Sequence, residues 1–156
     1  MRICLLFLSL ALSLICSYAG NKTSGNQTSL TDRCAFEITM KKGHLSGILI
    51  TKDDDERITG TMINEFGITA LSFIYEKKSQ KIKLEDVIGF LDKWYIKRVL
   101  KGDIRHCLHI LYHIPAKENR NYSVSQNDST VVVTNTKRKI SYVFSPIAQE
   151  PNEVEE

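Results

Sequence analysis

The sequence lacks the motifs that usually mark an enzyme. It contains no Gly-rich phosphate loop and no Gly-x-Ser-x-Gly elbow. Cysteine and histidine are present, but nothing in their spacing sets a nucleophile beside a base. Charge of one sign is also missing. There are 21 Lys+Arg against 18 Asp+Glu, the basic residues are scattered, and no basic stripe interleaved with aromatics occurs. Nucleic acid is therefore a poor partner. No apolar stretch beyond the first fifteen residues approaches the eighteen or so that a membrane-spanning helix needs.

What is present begins at the amino terminus. Arg2 gives a small positive region, and Ile3 to Ile15 contains only apolar residues, Ser and one Cys. That is the length of a signal h-region and too short to span a bilayer. Residues 1–19 read as an export signal, and two processing readings stay open. Ser17-Tyr18-Ala19 suits cleavage before Gly20. Leu14-Ile15-Cys16-Ser17 resembles a bacterial lipobox, in which Cys16 is acylated and becomes the new amino terminus, although Ile15 stands where a small residue is usual.

Residues 20–32 are rich in Gly, Ser, Thr and Asn and read as a flexible leader. Residues 148–156 are acidic, contain Pro151 and read as a solvated tail. Residues 33–147 are left as one domain, long enough for a real core. Cys34 and Cys107 are the two cysteines beyond the signal. Export permits a disulfide between them, worth about 4 kcal/mol for a loop of that length. Two separate buried thiols are the alternative.

Within the domain the hydrophobic period is first two. Phe36, Ile38 and Met40 alternate with polar residues. Strands are expected over 36–40, 45–52, 56–63, 68–75 and 81–84, joined by polar or Gly-containing turns into an antiparallel meander. From Glu85 to Leu100 the spacing of Val87, Ile88, Leu91, Trp94, Tyr95 and Val99 is close to helical, with Gly102 as the stop. A second helix is expected over 103–113, before Pro115. Closing strands follow at 122–125, 131–134 and 140–144. The plan is α+β: a curved antiparallel sheet, an open half-barrel, covered by two to three short helices.

Three features invite chemistry. His106, His109 and His113 would share one helical face and could ligate a metal, or simply form the polar side of an amphipathic helix. Asp53-Asp54-Asp55-Glu56 is acidic enough for calcium but lacks the EF-hand spacing and its Gly, and reads as a solvated turn. Asn-x-Ser/Thr triplets begin at Asn21, Asn26, Asn121 and Asn127, glycan acceptors in a eukaryotic secretory route. Neither a metal nor another cofactor is expected. Gly47, Gly60 and Gly67 would bend the sheet, and Phe66, Phe73, Tyr75 and Trp94 would either enclose a greasy pocket or fill an ordinary core.

Three phrases carry a resemblance: Leu45-Ser46-Gly47-Ile48-Leu49-Ile50-Thr51-Lys52, then Asn64-Glu65-Phe66-Gly67 through Phe73, then Ile82 to Asp103. Over residues 35 to 112 the chain resembles uncharacterised outer-membrane lipoproteins of Gram-negative bacteria, themselves similar to the lipoprotein-localisation carriers. The resemblance implies an open half-barrel whose apolar hollow shelters acyl chains. It favours lipidation at Cys16 and a place at the outer membrane or in the periplasm, and it disfavours glycans. It implies a non-enzymatic protein held to the membrane by its anchor, with a lipid or lipoprotein as ligand. Phe66, Leu71, Phe73, Val87, Leu91 and Trp94 would line the hollow. The competing expectation is a secreted, disulfide-containing interaction module without a cavity.

Overall fold

The computed structural model describes residues 32–147 apart from 128. The signal segment with Cys16, the leader except its last residue, the sites at Asn21 and Asn26, and the acidic tail lie outside the described residues.

Five strands come first: β1 (Arg33–Met40), β2 (Gly43–Asp53), β3 (Arg57–Asn64), β4 (Thr69–Glu76) and β5 (Lys81–Val87). One helix follows, α1 (Trp94–Leu111), and then β6 (Tyr122–Asn127), β7 (Thr130–Asn135) and β8 (Ile140–Ser145). All eight strands form one antiparallel sheet in the order β5-β4-β3-β2-β1-β8-β7-β6. The sheet is open, with β5 and β6 as its edges, and α1 links those edges in the chain. Both edges are polar: β5 carries Lys81, Lys83, Glu85 and Asp86, and β6 reads Tyr-Ser-Val-Ser-Gln-Asn, which discourages pairing with another chain.

The period-two segments form strands because one face of each is buried. Cys34, Phe36 and Ile38 of β1, Leu45 and Leu49 of β2, Ile58 and Met62 of β3, and Phe73 and Tyr75 of β4 point into one core. Tyr142 and Phe144 of β8 complete it beneath Leu100, Ile104, Cys107, Leu108 and Leu111 of α1. A glycine is required where β3 meets β4. Gly60 pairs with Phe73, and a Cβ on Gly60 would stand 2.1 Å from the ring's Cζ, so the aromatic ring lies over the glycine. Such cover restores the apolar contact that a strand glycine lacks.

The two to three short helices expected are corrected to one among the described residues. Residues 85–87 continue β5, where Val87 pairs with Leu71 across a bulge, and residues 88–93 make a turn closed by Leu91 and Asp92 amides on the Ile88 carbonyl. Val87, Ile88 and Leu91 thus reach the core from a strand end and a turn, which places apolar residues as a helix would. Gly102 does not stop the helix. Its propensity cost of about 1 kcal/mol is outweighed by the burial of Leu100, Ile104 and Leu108 around it. The real stop is a Schellman motif: the Ile114 amide donates to the His109 carbonyl and the His113 amide to the Ile110 carbonyl, with His113 at φ 51°.

Two polar contacts seat α1. Asp103, 1% exposed, accepts from Tyr122 Oη (2.6 Å), Asn135 Nδ2 (2.8 Å) and Tyr142 Oη (2.7 Å), which ties the helix to β6, β7 and β8. His109 Nε2 shares a 3.0 Å hydrogen bond with Tyr75 Oη of β4 on the other wing. Three charge-assisted hydrogen bonds to one carboxylate are strong individually and leave neither oxygen without a donor.

Replacing Asp103 by Ala orphans two buried donors, Asn135 and Tyr142, each worth about 1–3 kcal/mol, and a half-buried one, Tyr122, so Asp103→Ala is expected to lose about 3 kcal/mol or more in urea unfolding. Gly60→Ala is expected to lose about 1–3 kcal/mol by pushing the Phe73 ring from its seat, read as a lower thermal midpoint.

Candidate functional site: a basic, aromatic end of the sheet

Beneath the middle and later turns of α1 the interior leaves almost no space. The cavity bounded by Leu49, Met62, Phe73, Ile104, Leu108 and Tyr142 measures about 10 Å³, no more than one water's room. The six expected lining residues therefore separate. Leu71, Phe73 and Leu91 are buried in the packed core, and Val87 is half-buried against it. Phe66 and Trp94 face outward, 84% and 74% exposed.

Antiparallel topology decides where those outward residues gather. The β1–β2 and β3–β4 hairpins and the β5–α1 turn all lie at the end where β1 finishes. Because β8 runs antiparallel to β1, the β7–β8 hairpin lies there too. Phe66 and Ile68 sit at the β3–β4 hairpin, Phe90 in the β5–α1 turn, and Trp94 and Tyr95 on the first turn of α1, all exposed. The Asn64 side chain shapes the hairpin tip by accepting from the Phe66 and Ile68 amides, while Gly67 takes φ 75°. Trp94 and Tyr95 meet edge to face at 5.9 Å. Beside them a groove of about 520 Å³ runs between α1 and the sheet, lined by Met40, Ile96, Val99, Leu100, Arg138 and Ile140.

The same end is basic. Lys41 and Lys42 form the β1–β2 turn, Lys137, Arg138 and Lys139 the β7–β8 turn, and Lys93 and Arg98 flank Trp94. All seven are exposed, and none has an ion pair among the described residues. Three carboxylates share this end: Asp92 pairs with Lys97 at 2.5 Å, Glu65 accepts from the Ser46 hydroxyl, and Asp86 lies exposed near the end of β5. The opposite end carries the acidic turn, where Asp53 pairs with Lys77 and Asp54 with Lys52. Asn121 and Asn127 are exposed, the latter as the last residue of β6.

The three histidines do not converge. His106 stacks on Tyr122 with ring centroids 4.1 Å apart. His109 faces β4, and His113 lies past the helix end. No group of three metal-ligating side chains occurs among the described residues. Cys34 and Cys107 are free thiols, so the expected bridge is not formed in this structure. Both are buried, but at different levels: Cys34 lies near Tyr112 past the helix end, and Cys107 near Asp103 and Tyr142. Burial raises the Cys34 thiol to about 11 and the Cys107 thiol well above its ordinary value, which keeps both protonated and poor nucleophiles.

Sequence reasoning missed Asp103 as the helix seat and the basic hairpins as one surface. The signal for the second was present in the runs Lys41-Lys42 and Lys137-Arg138-Lys139, which became adjacent only through the pairing of β8 with β1.

Burial lowers the His109 imidazole, with Arg105 and His106 adding to the effect, and burial lowers His106 against the opposing pull of Asp103. The folded chain therefore favours neutral rings. Stability should be complete above about pH 6.5 and fall as pH drops through that value, because the unfolded chain then binds protons the folded chain resists. Urea midpoints measured from about pH 7.5 to 5 should decline, and His109→Gln should shrink that decline.

Comparison with known proteins places no relative beside this chain: no family model, no curated protein and no solved structure matches it.

Proposed function

We propose that the chain is a non-enzymatic lipoprotein of the cell envelope, anchored at Cys16, that binds an apolar partner against the outside of its aromatic end. The partner is an acyl chain or the lipid part of another lipoprotein. The observation that carries this reading is the gathering of Phe66, Ile68, Phe90, Trp94 and Tyr95, all exposed, at one end of a sheet whose interior is filled. Exposed apolar residues scattered singly mean little, whereas a group rimmed by polar residues marks an interaction site. The open sheet over a helix keeps the outline of the half-barrel, with α1 occupying what would be the hollow, so the apolar ligand has its place outside.

Several features support a binding protein over an enzyme. The thiols are buried and held protonated, both oxygens of the Asp103 carboxylate are taken up by structural hydrogen bonds, and the histidines point to separate neighbours. The competing reading, a secreted module stiffened by a Cys34–Cys107 bridge, loses support from the two free thiols.

Trp94 is the one tryptophan in the chain, so its emission reports on this end alone. Addition of an uncharged maltoside detergent should move that emission to the blue and protect it from acrylamide. Unchanged emission with folded protein would sink the proposal.

A further inference from the structure

We infer that the surface this end docks on is an anionic phospholipid bilayer. The inference rests on the apolar docking just proposed and adds the class of partner.

The argument is charge complementarity laid over an apolar patch. Two basic hairpins, Lys41-Lys42 and Lys137-Arg138-Lys139, stand on the loops that share an end with Phe66, Phe90 and Trp94. They come from opposite ends of the chain, and the pairing of β1 with β8 brings them side by side. Lys93 and Arg98 continue the basic surface onto α1, next to the Trp94 ring. A second groove of about 600 Å³ opens beside Trp94 along α1; Arg98, Lys101 and Arg105 line it, together with Lys97, which pairs with Asp92, and Lys81 at the far start of β5. The chain as a whole carries only +3, so seven unpaired cations against Glu65, Asp86 and Asp92 at one end reflect placement and not composition.

Such a surface matches a bilayer in two layers. Trp, Tyr and Phe settle at the headgroup level, where one edge is apolar and the other wet. Unpaired Lys and Arg around them meet the phosphates of an anionic leaflet, each adding attraction within a Debye length. A soluble protein ligand would more often meet a mixed-charge rim. The first turn of α1 has no side-chain cap and no acidic residue, so its free amides add to the positive potential there.

The test uses the folded chain without an acyl group at Cys16, so that binding reports on this surface alone. Trp94 emission is titrated with vesicles of phosphatidylcholine, and with vesicles in which about 30% is phosphatidylglycerol. Partitioning is expected to be at least roughly tenfold stronger onto the anionic vesicles in about 0.1 M salt, and to lose most of that gain in about 0.5 M salt. The double variant Lys137→Glu/Lys139→Glu should lose most of the gain while keeping the wild-type thermal midpoint and the wild-type response to uncharged detergent. Lys41→Glu/Lys42→Glu, on a different hairpin, should do the same.

Equal partitioning onto both vesicles would overturn the inference and leave the apolar reading standing. So would a gain that survives both charge reversals, or binding abolished by millimolar glycerol phosphate at constant ionic strength, which would mark a free-anion site. Loss of response to detergent and vesicles alike would instead bring down the apolar reading itself.

Discussion

The Asp103 carboxylate is the contact on which the arrangement depends. It sits at the middle of α1 and takes hydrogen bonds from three strands that follow the helix in sequence. Hydrophobic packing alone would hold α1 on the sheet but would allow it to slide or turn, since Leu and Ile contacts are non-directional. Three donors aimed at one carboxylate remove that freedom. The contact fixes rotation as well as position, because its partners approach from one wing while His109 reaches Tyr75 on the other. With the helix locked at both wings, its first turn has only one direction to point, and Trp94 and Tyr95 are carried outward at the end of the sheet.

That end costs stability to build. Aromatic rings left in water forgo the burial free energy they would gain in a core, roughly 1.5–3 kcal/mol for a large side chain. Repulsion among neighbouring cations adds to the cost, and the open first turn of α1 gives up a cap worth about 1 kcal/mol. A chain under selection for stability alone has no reason to gather these features on four separate connections. The opposite end shows the cheaper solution, where Asp53 and Asp54 pair with lysines in an ordinary solvated hairpin. The contrast between the two ends is what points to function, more than any one residue.

Strands were legible in the sequence because one buried face imposes a period of two, and that signal needs no partner to be read. Phe36, Ile38 and Met40 announced β1 on their own. The helix was harder. Val87, Ile88 and Leu91 have helical spacing, yet they are buried from the end of β5 and the turn after it, because spacing records burial and not the backbone that achieves it. Gly102 looked like a stop since its local cost is real, but it lies between core residues whose burial exceeds that cost. Asp103 could not be recognised at all. Its partners Tyr122, Asn135 and Tyr142 are nineteen, thirty-two and thirty-nine residues away, and nothing local marks an acid on an amphipathic helix as buried. The candidate lining residues were chosen for size and apolarity, which separates neither Phe73 in the core from Phe66 at a hairpin tip nor a filled interior from a hollow one.

The two ends of the molecule also bear on how an amino-terminal anchor and a docking surface would act together. β1 begins at Arg33 near the acidic end and finishes at Met40 near the basic, aromatic end. A tether at Cys16, as proposed, would therefore enter the domain at the end away from the proposed docking surface. Eight residues of β1 span about 27 Å. The sixteen residues between Cys16 and Arg33 reach at most about 55 Å when extended, roughly twice that height. The chain is thus long enough to pass along the side of the domain and let the aromatic end face the same membrane that holds the anchor. Anionic lipid would attract the unpaired cations at one end and find the carboxylates at the other largely matched by lysines, so the charges would set orientation before any ring enters the headgroups. A tether of that length raises the local concentration of the surface without dictating how the domain meets it; the meeting is left to Trp94, Phe66 and the two basic hairpins.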